Sequence, residues 1–382
     1  MDFEPTEQQK IIRDTAAKFV KDELAPVAAE LDRTKNQEIL KGILKKIAKL
    51  GLMGINVDPQ YGGTGAGSVA FSLAMTELGR GCASTTVTTS VTNMVAEVIQ
   101  AVGTEQLRQK YIPPICSGEF AAGGFALTEA CAGSDPAAMR MSAVPDGDYW
   151  VLNGNKIFIS SAEFSGVFVV WAVTDKEARK GKGISAFLVE PTFPGFRIGK
   201  AEKKLGQLAS PTNEIIFENC RVPKENILGA PNDGFRIAAS ELAGGRIGIG
   251  SMALGIGLAA MDYAAGYAKE RLQAGVSTAD YQAVQRMIGD NYTRLEGARL
   301  LLLDAAFIKD QKKYYAKEAS MAKVYATEAA NKACHDAMQI LGDSGYTQGC
   351  PVERYYRDVR VTSIYEGTSE IQRLIIAREL LR

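Results

Sequence analysis

Apolar residues recur every three to four positions through most of residues 1–120 and again from about 231 onward, and at every second position between. Ile11, Ile12, Thr15, Phe19 and Val20 mark an amphipathic helix over Glu7 to Leu31, and Ile39 to Leu50 carries a second. Helical stretches also begin near Ser68 and cover about Ser84 to Val102, the latter rich in Thr85, Thr86, Thr88, Thr89 and Thr92. Between about 121 and 230 the period is two. Tyr149-Trp150-Val151-Leu152 and Lys156-Ile157-Phe158-Ile159 flank Asn153-Gly154, which predicts a hairpin, Asn-Gly supplying the positive φ angles of a tight turn. Val167 to Val173, Ile184 to Val189 and Glu214 to Phe217 read as further strands. Strands in succession without intervening helices predict an antiparallel sandwich or barrel. Helical runs at 234–271, 280–308 and 314–342, with a short one after Thr368, predict a bundle. The expectation is an α+β chain in three blocks: helical 1–120, β 121–230, helical 231–382.

Composition narrows the function classes. A chain of 382 residues exceeds one compact core. Its 44 basic and 44 acidic residues cancel, which argues against nucleic acid or an anionic membrane as partner. No apolar run is expected to span a bilayer. Met1-Asp2-Phe3-Glu4-Pro5 lacks a basic region followed by an apolar stretch, so a cytoplasmic location is expected. Six cysteines (82, 116, 131, 220, 334, 350) form no C-x-x-C pair and no zinc spacing, and are expected to be reduced and buried. The single histidine, His335, sits in a helical stretch; no His-based metal cluster is possible, and no G-x-S-x-G accompanies it. Proton chemistry therefore falls to a carboxylate, Tyr, Lys or Cys, and no metal is expected.

Two glycine patterns imitate nucleotide sites. Gly248-Ile249-Gly250-Ser251-Met252-Ala253 fits G-x-G-x-x-A, with Glu270 downstream, but lies inside a helical run instead of following a strand. Small residues there serve close helix packing better. Tyr61-Gly62-Gly63-Thr64-Gly65-Ala66-Gly67 lacks the Gly-Lys-Ser/Thr of a phosphate loop.

The most informative segment is Ile364-Tyr365-Glu366-Gly367-Thr368-Ser369-Glu370-Ile371-Gln372-Arg373. It sets an acidic residue between an aromatic and a glycine, at the start of an apolar helix that Thr368 or Ser369 can cap. A helix N-terminus also offers free N–H groups to an anion. Taken alone, the segment reads more readily as a surface Glu in a capped turn.

Its company decides. Together with Phe125-Ala126-Leu127-Thr128-Glu129, Ala132-Gly133-Ser134-Asp135, Asn153 to Ser160, Phe217 to Pro223, Gly244-Gly245-Arg246-Ile247-Gly248-Ile249 and Gln339-Ile340-Leu341-Gly342, the chain resembles the acyl-CoA dehydrogenases, nearest their short-chain branch. The resemblance runs nearly end to end.

It implies α-proton abstraction by Glu366 from a short, branched or cyclic acyl-CoA, with β-hydride transfer to the N5 of a bound FAD. It implies flavin contacts from Phe125, Leu127, Thr128, Gly133, Ser134, Phe158, Ser160, Arg271, Gln282, Gln339 and Thr368, several of them across a subunit boundary, and hence a homotetramer. Substrate contacts fall on Ser134, Thr92, Arg246 and Gly367; the Thr-rich helix is either a pocket wall or plain helix surface. Relatives that carry the base near Gly245 have no counterpart here, since glycine cannot act. Electrons would pass to an electron-transferring flavoprotein. The same groups would serve an enoyl-CoA or arylenoyl-CoA reductase, and a non-catalytic binding protein on this fold is the third reading. Departures from the family fall at Ala274-Gly275, Leu208-Ala209-Ser210 and Leu341 to Gly345, and bear on the FAD adenine site.

Overall fold

Six helices lead the chain: α1 Glu7–Phe19, α2 Ala25–Thr34, α3 Gln37–Lys49, α4 Gly67–Gly81, α5 Ala83–Val102 and α6 Glu105–Ser117. The structure, a computed structural model, describes residues 4–382, so the leader expectation at Met1-Asp2-Phe3 lies outside it. Thr6 caps α1 in a capping box with Gln9, and Asn36 caps α3. The single helix expected over Glu7 to Leu31 is interrupted. Pro26, at the start of α2, has no N–H to continue the ladder, and Val20–Leu24 widens into a π turn. Asp310 receives Ser68 N at 2.6 Å and Val69 N at 3.1 Å, so the helix start after the glycine-rich loop is occupied by a protein carboxylate.

The middle of the chain is one sheet of β1 Ala122–Ala126, β2 Ser142–Asp146, β3 Tyr149–Ser160, β4 Ser165–Val173, β5 Ile184–Val189, β6 Phe196–Ala201, β7 Thr212–Pro223 and β8 Ile227–Leu228. Its order is β6-β7-β3-β2-β4-β5-β8, with β1 paired to β4. Two expectations are corrected. The sheet is mixed, because β1 runs parallel to β4; the long excursion through β2 and β3 between them is the crossover that parallel pairing needs. Asn153-Gly154 is not a hairpin turn but a bulge inside continuous β3, where the register against β7 jumps between Leu152 and Gly154. Gly154 does take a positive φ, 137°. The turn itself is Gly147-Asp148, closing β2 on β3 with Asp146 opposite Tyr149.

The C-terminal block holds α7 Gly234–Glu270, a hairpin of β9 Leu272–Gln273 and β10 Val276–Ser277, α8 Gln282–Asp310, α9 Ala316–Leu341, α10 Asp343–Tyr346, α11 Pro351–Val359 and α12 Ser369–Leu380. α7 corrects the expectation about apolar runs: it is long and apolar enough to cross a bilayer, but 78% of its most apolar window is buried among neighbouring helices. Its glycines admit those neighbours. A Cβ at Gly255 would stand 2.0 Å from Thr76 O, and one at Gly250 would meet Leu302 at 2.6 Å. The nucleotide-like pattern is thus a packing surface. Glycine in a helix costs about 1 kcal/mol relative to alanine, and here the close contact offsets that cost.

Segment 202–211, between β6 and β7, is the seam of the molecule. Gln207 Nε2 donates to Asp358 O and to the Tyr365 hydroxyl, both at 3.1 Å. Ala209 N donates to Ser84 Oγ at 3.2 Å, and Ser210 Oγ lies 3.3 Å from Thr88 Oγ1. The segment that carries Leu208-Ala209-Ser210 is therefore a junction of all three blocks, with Gln207 supplying the link to the C-terminal block. Four cysteines are buried as expected; Cys131 is exposed, Cys350 is half-buried and all six are free.

Candidate active site

The turn carrying Glu366 is built from backbone strain and polar clamps. Glu366 and Gly367 both adopt positive φ, 53° and 90°. For a non-glycine residue that conformation is held only by its surroundings, at roughly 1–3 kcal/mol. Three contacts hold it. Gln372 Nε2 donates to Glu366 O and Gly367 O at 2.9 Å each, and Lys323 Nζ donates to Gly367 O at 2.8 Å. Thr368 Oγ1 caps α12 by accepting from Ile371 N.

The Glu366 carboxylate points inward. Its Oε2 is enclosed and has no hydrogen-bond partner among the described residues. A Cβ on Gly245 would stand 2.9 Å from that oxygen and 2.8 Å from Met94 Sδ, so the carboxylate faces α7 and α5. Burial raises the Glu366 pKa to about 7, against the pull of Arg246 and Lys323. Arg246 is 7% exposed and, among the described residues, hydrogen-bonds only Ser320 Oγ at 3.3 Å and leaves its Nε without a partner.

Phe125, Leu127 and Thr128 run along the end of β1 into the loop carrying Gly133 and Ser134, both exposed. The loop is anchored from beneath. Lys156 Nζ, with no exposure, donates to Leu127 O at 3.0 Å and to Glu129 Oε1 at 2.8 Å. Glu129 also accepts from Arg140 N at 2.6 Å and Met141 N at 3.1 Å. Ile157 N bonds Thr128 O, tying the loop to β3. At the end of β3, Phe158 takes φ 59° at a bulge and is 60% exposed. A strained, outward aromatic is a surface built to be covered. Ser160 follows it, half-buried.

Thr368 lines a cavity of about 420 Å³ at the start of α12, beside the buried, unpartnered Ser369 Oγ. Arg271, Gln282 and Gln339 do not join this group. All three are exposed, and Gln339 lies roughly 12 Å along α9 from Asn331, which bonds Ser363. Thr92 is wholly buried, its hydroxyl committed to Thr88 O at 2.7 Å and Gly123 N at 3.3 Å, so it joins α5 to β1 and has only its methyl to offer a ligand. His335 is exposed on α9, its ring 6.4 Å from that of Tyr356. Of the family departures, Ala274 sits at the β9–β10 tip with φ 51°.

Sequence reading missed Lys323, Gln372 and the Glu129–Lys156 pair. The pair left a trace: Lys156 interrupts the apolar positions of β3 on its buried face. Lys323 left none.

Comparison with known proteins agrees with this architecture. Residues 6–119, 124–220 and 232–381 match the N-terminal, middle and C-terminal domains of acyl-CoA dehydrogenase. The mitochondrial short-chain specific acyl-CoA dehydrogenase of Rattus norvegicus is 47% identical over 98% of this chain and 90% of its own. The acryloyl-CoA reductase (NADH) of Anaerotignum propionicum is 41% identical over 100% of this chain and 96% of its own. A chain in the structure of the electron transferring flavoprotein of Acidaminococcus fermentans, studied for flavin-based electron bifurcation, superposes with a TM-score of 0.97 at 43% identity, each chain covered in full. With three domain matches in order and relatives above 40% identity across its length, the chain belongs to the acyl-CoA dehydrogenase family.

Proposed function

We propose that this protein is an FAD-dependent dehydrogenase of short acyl-CoA thioesters, straight, branched or cyclic, with Glu366 as the base. The observation that carries the reading is the enclosed, unpartnered Glu366 Oε2, with its pKa near 7. The α-proton of a thioester is weakly acidic, and a carboxylate takes it effectively only when desolvation has brought its basicity up. The Glu366 N–H donates to nothing among the described residues, which leaves it for the thioester oxygen as negative charge builds there.

The residues suit a flavin dinucleotide. Phe125, Leu127 and Thr128 with outward Phe158 and Ser160 offer a partly apolar seat for the ring. The α12 start with Thr368 and the orphan Ser369 hydroxyl offers donors for phosphate. Bound there, the flavin would supply the acceptor for the substrate's β-hydrogen. Ser134, Arg246 and Gly367 border the thioester. Exposed Arg271, Gln282 and Gln339, beside exposed Leu272, Val276 and Tyr281, fit a homotetramer in which a second subunit covers them. The likeness to the Acidaminococcus chain supports an electron-transferring flavoprotein as electron partner.

Anaerobic titration of the yellow protein with straight, branched and cyclic acyl-CoA thioesters tests this. Bleaching of flavin absorbance by a short thioester is expected; a colourless protein that takes up no FAD overturns it. The Anaerotignum relative supports a second reading, reduction of an enoyl-CoA. That direction holds if no saturated thioester bleaches the flavin while an enoyl-CoA reoxidises the reduced protein.

A further inference from the structure

Lys323 is a wholly buried lysine on α9 with no carboxylate at ion-pair distance among the described residues. An interior ammonium without a paired carboxylate is costly to keep, and burial lowers its pKa to about 8. Its hydrogen bond goes to the strained turn, at Gly367 O. The charged and titratable groups facing Glu366 are Arg246 and Glu241 from α7, Lys323 from α9 and Tyr365 from its own turn; α5 presents uncharged Met94. Among these, Lys323 is the cation that also touches the backbone of the turn.

We propose that Lys323 is a positioning residue for the reaction: it clamps the Gly367 carbonyl so that Glu366 keeps its left-handed backbone, and its charge holds the Glu366 carboxylate in the proton-accepting form. This rests on the reading of Glu366 as the base. A neighbouring cation favours the charged form of a carboxylate. Without Lys323, Glu366 stays protonated to higher pH, and the rate of α-proton removal rises later. Gln372 clamps the same carbonyls without charge, so the two roles can be separated.

The experiment follows anaerobic flavin bleaching by butyryl-CoA against pH in the FAD-loaded full chain. K323M is expected to move the midpoint up by about one pH unit or more, a roughly tenfold loss of rate below the midpoint. K323R keeps the wild-type midpoint, and Q372M slows bleaching at every pH without moving it. A K323M profile superimposable on wild type overturns the inference. Should K323M not retain FAD, K323Q, which keeps a donor for Gly367 O but no charge, is judged by the same criterion. E366Q is run in parallel. If it bleaches at the wild-type rate, the reading of the base fails and takes the inference with it. If E366Q is inert and the lysine variants are unmoved, the inference alone fails.

Discussion

Glu129 and Glu366 are both enclosed carboxylates in the candidate site, and the fold treats them in opposite ways. Glu129 is saturated: a lysine ammonium, two backbone N–H groups and a nearby thiol surround it, on ordinary backbone. Glu366 has an orphan oxygen, a strained backbone and cations that attract it without a direct hydrogen bond. A buried polar group with every partner in place fixes geometry; one left short is available to react. The first carboxylate anchors the loop after β1, and the second faces α7 and α5.

Exchanging the reactive carboxylate breaks the comparison most sharply. E366Q should bind FAD and thioester as wild type while flavin reduction falls by roughly 10²–10⁴-fold, measured by stopped-flow absorbance. On the saturated side the damage should be structural. K156M leaves Glu129 without its counter-charge and should cost about 3–5 kcal/mol of stability in denaturant unfolding; unchanged stability would mean that Glu129 needs only its backbone donors. The two sides also differ with pH. The Glu366 pKa is raised from 4.5 to about 7, so the stability it contributes is present at low pH and lost as pH rises through that window. The stability of E366Q relative to wild type should therefore grow by about 1–3 kcal/mol between those limits, and parallel curves would contradict the shift. The smallest effect concerns strain away from the site. A274G should raise stability in denaturant unfolding by up to about 1 kcal/mol, since Ala274 holds a positive φ at an exposed tip, and an unchanged unfolding midpoint would mean that the tip carries no strain.

The sequence carried the periodic parts of this molecule well. Helical spacing marked α3 and the long C-terminal helices, because one buried face imposes the period, while β4 and β5, buried on both faces, stood out as short continuous apolar runs. Asn153-Gly154 misled because its signal is local: the positive φ is real, but it serves a bulge as readily as a turn. Gly147, one position beyond Asp146, carries the same signal and makes the turn. Glu366 stood out through its motif. Its support did not, because Lys323 reaches Gly367 across 44 positions, and no spacing rule links a helix interior to a turn that distant. Arg271, Gln282 and Gln339 were named by resemblance, and a single chain leaves them exposed, away from Glu366.

The seam at Gln207 gives the protein a built-in proof of completion. Tyr365, the neighbour of Glu366, is held by a loop from the sheet, and that loop is seated on Ser84 and Thr88 of the leading helices. A chain missing any one of the three blocks loses a link in the support of Tyr365. The setting of Glu366 is thus a property of the whole assembled fold and not of the C-terminal block alone.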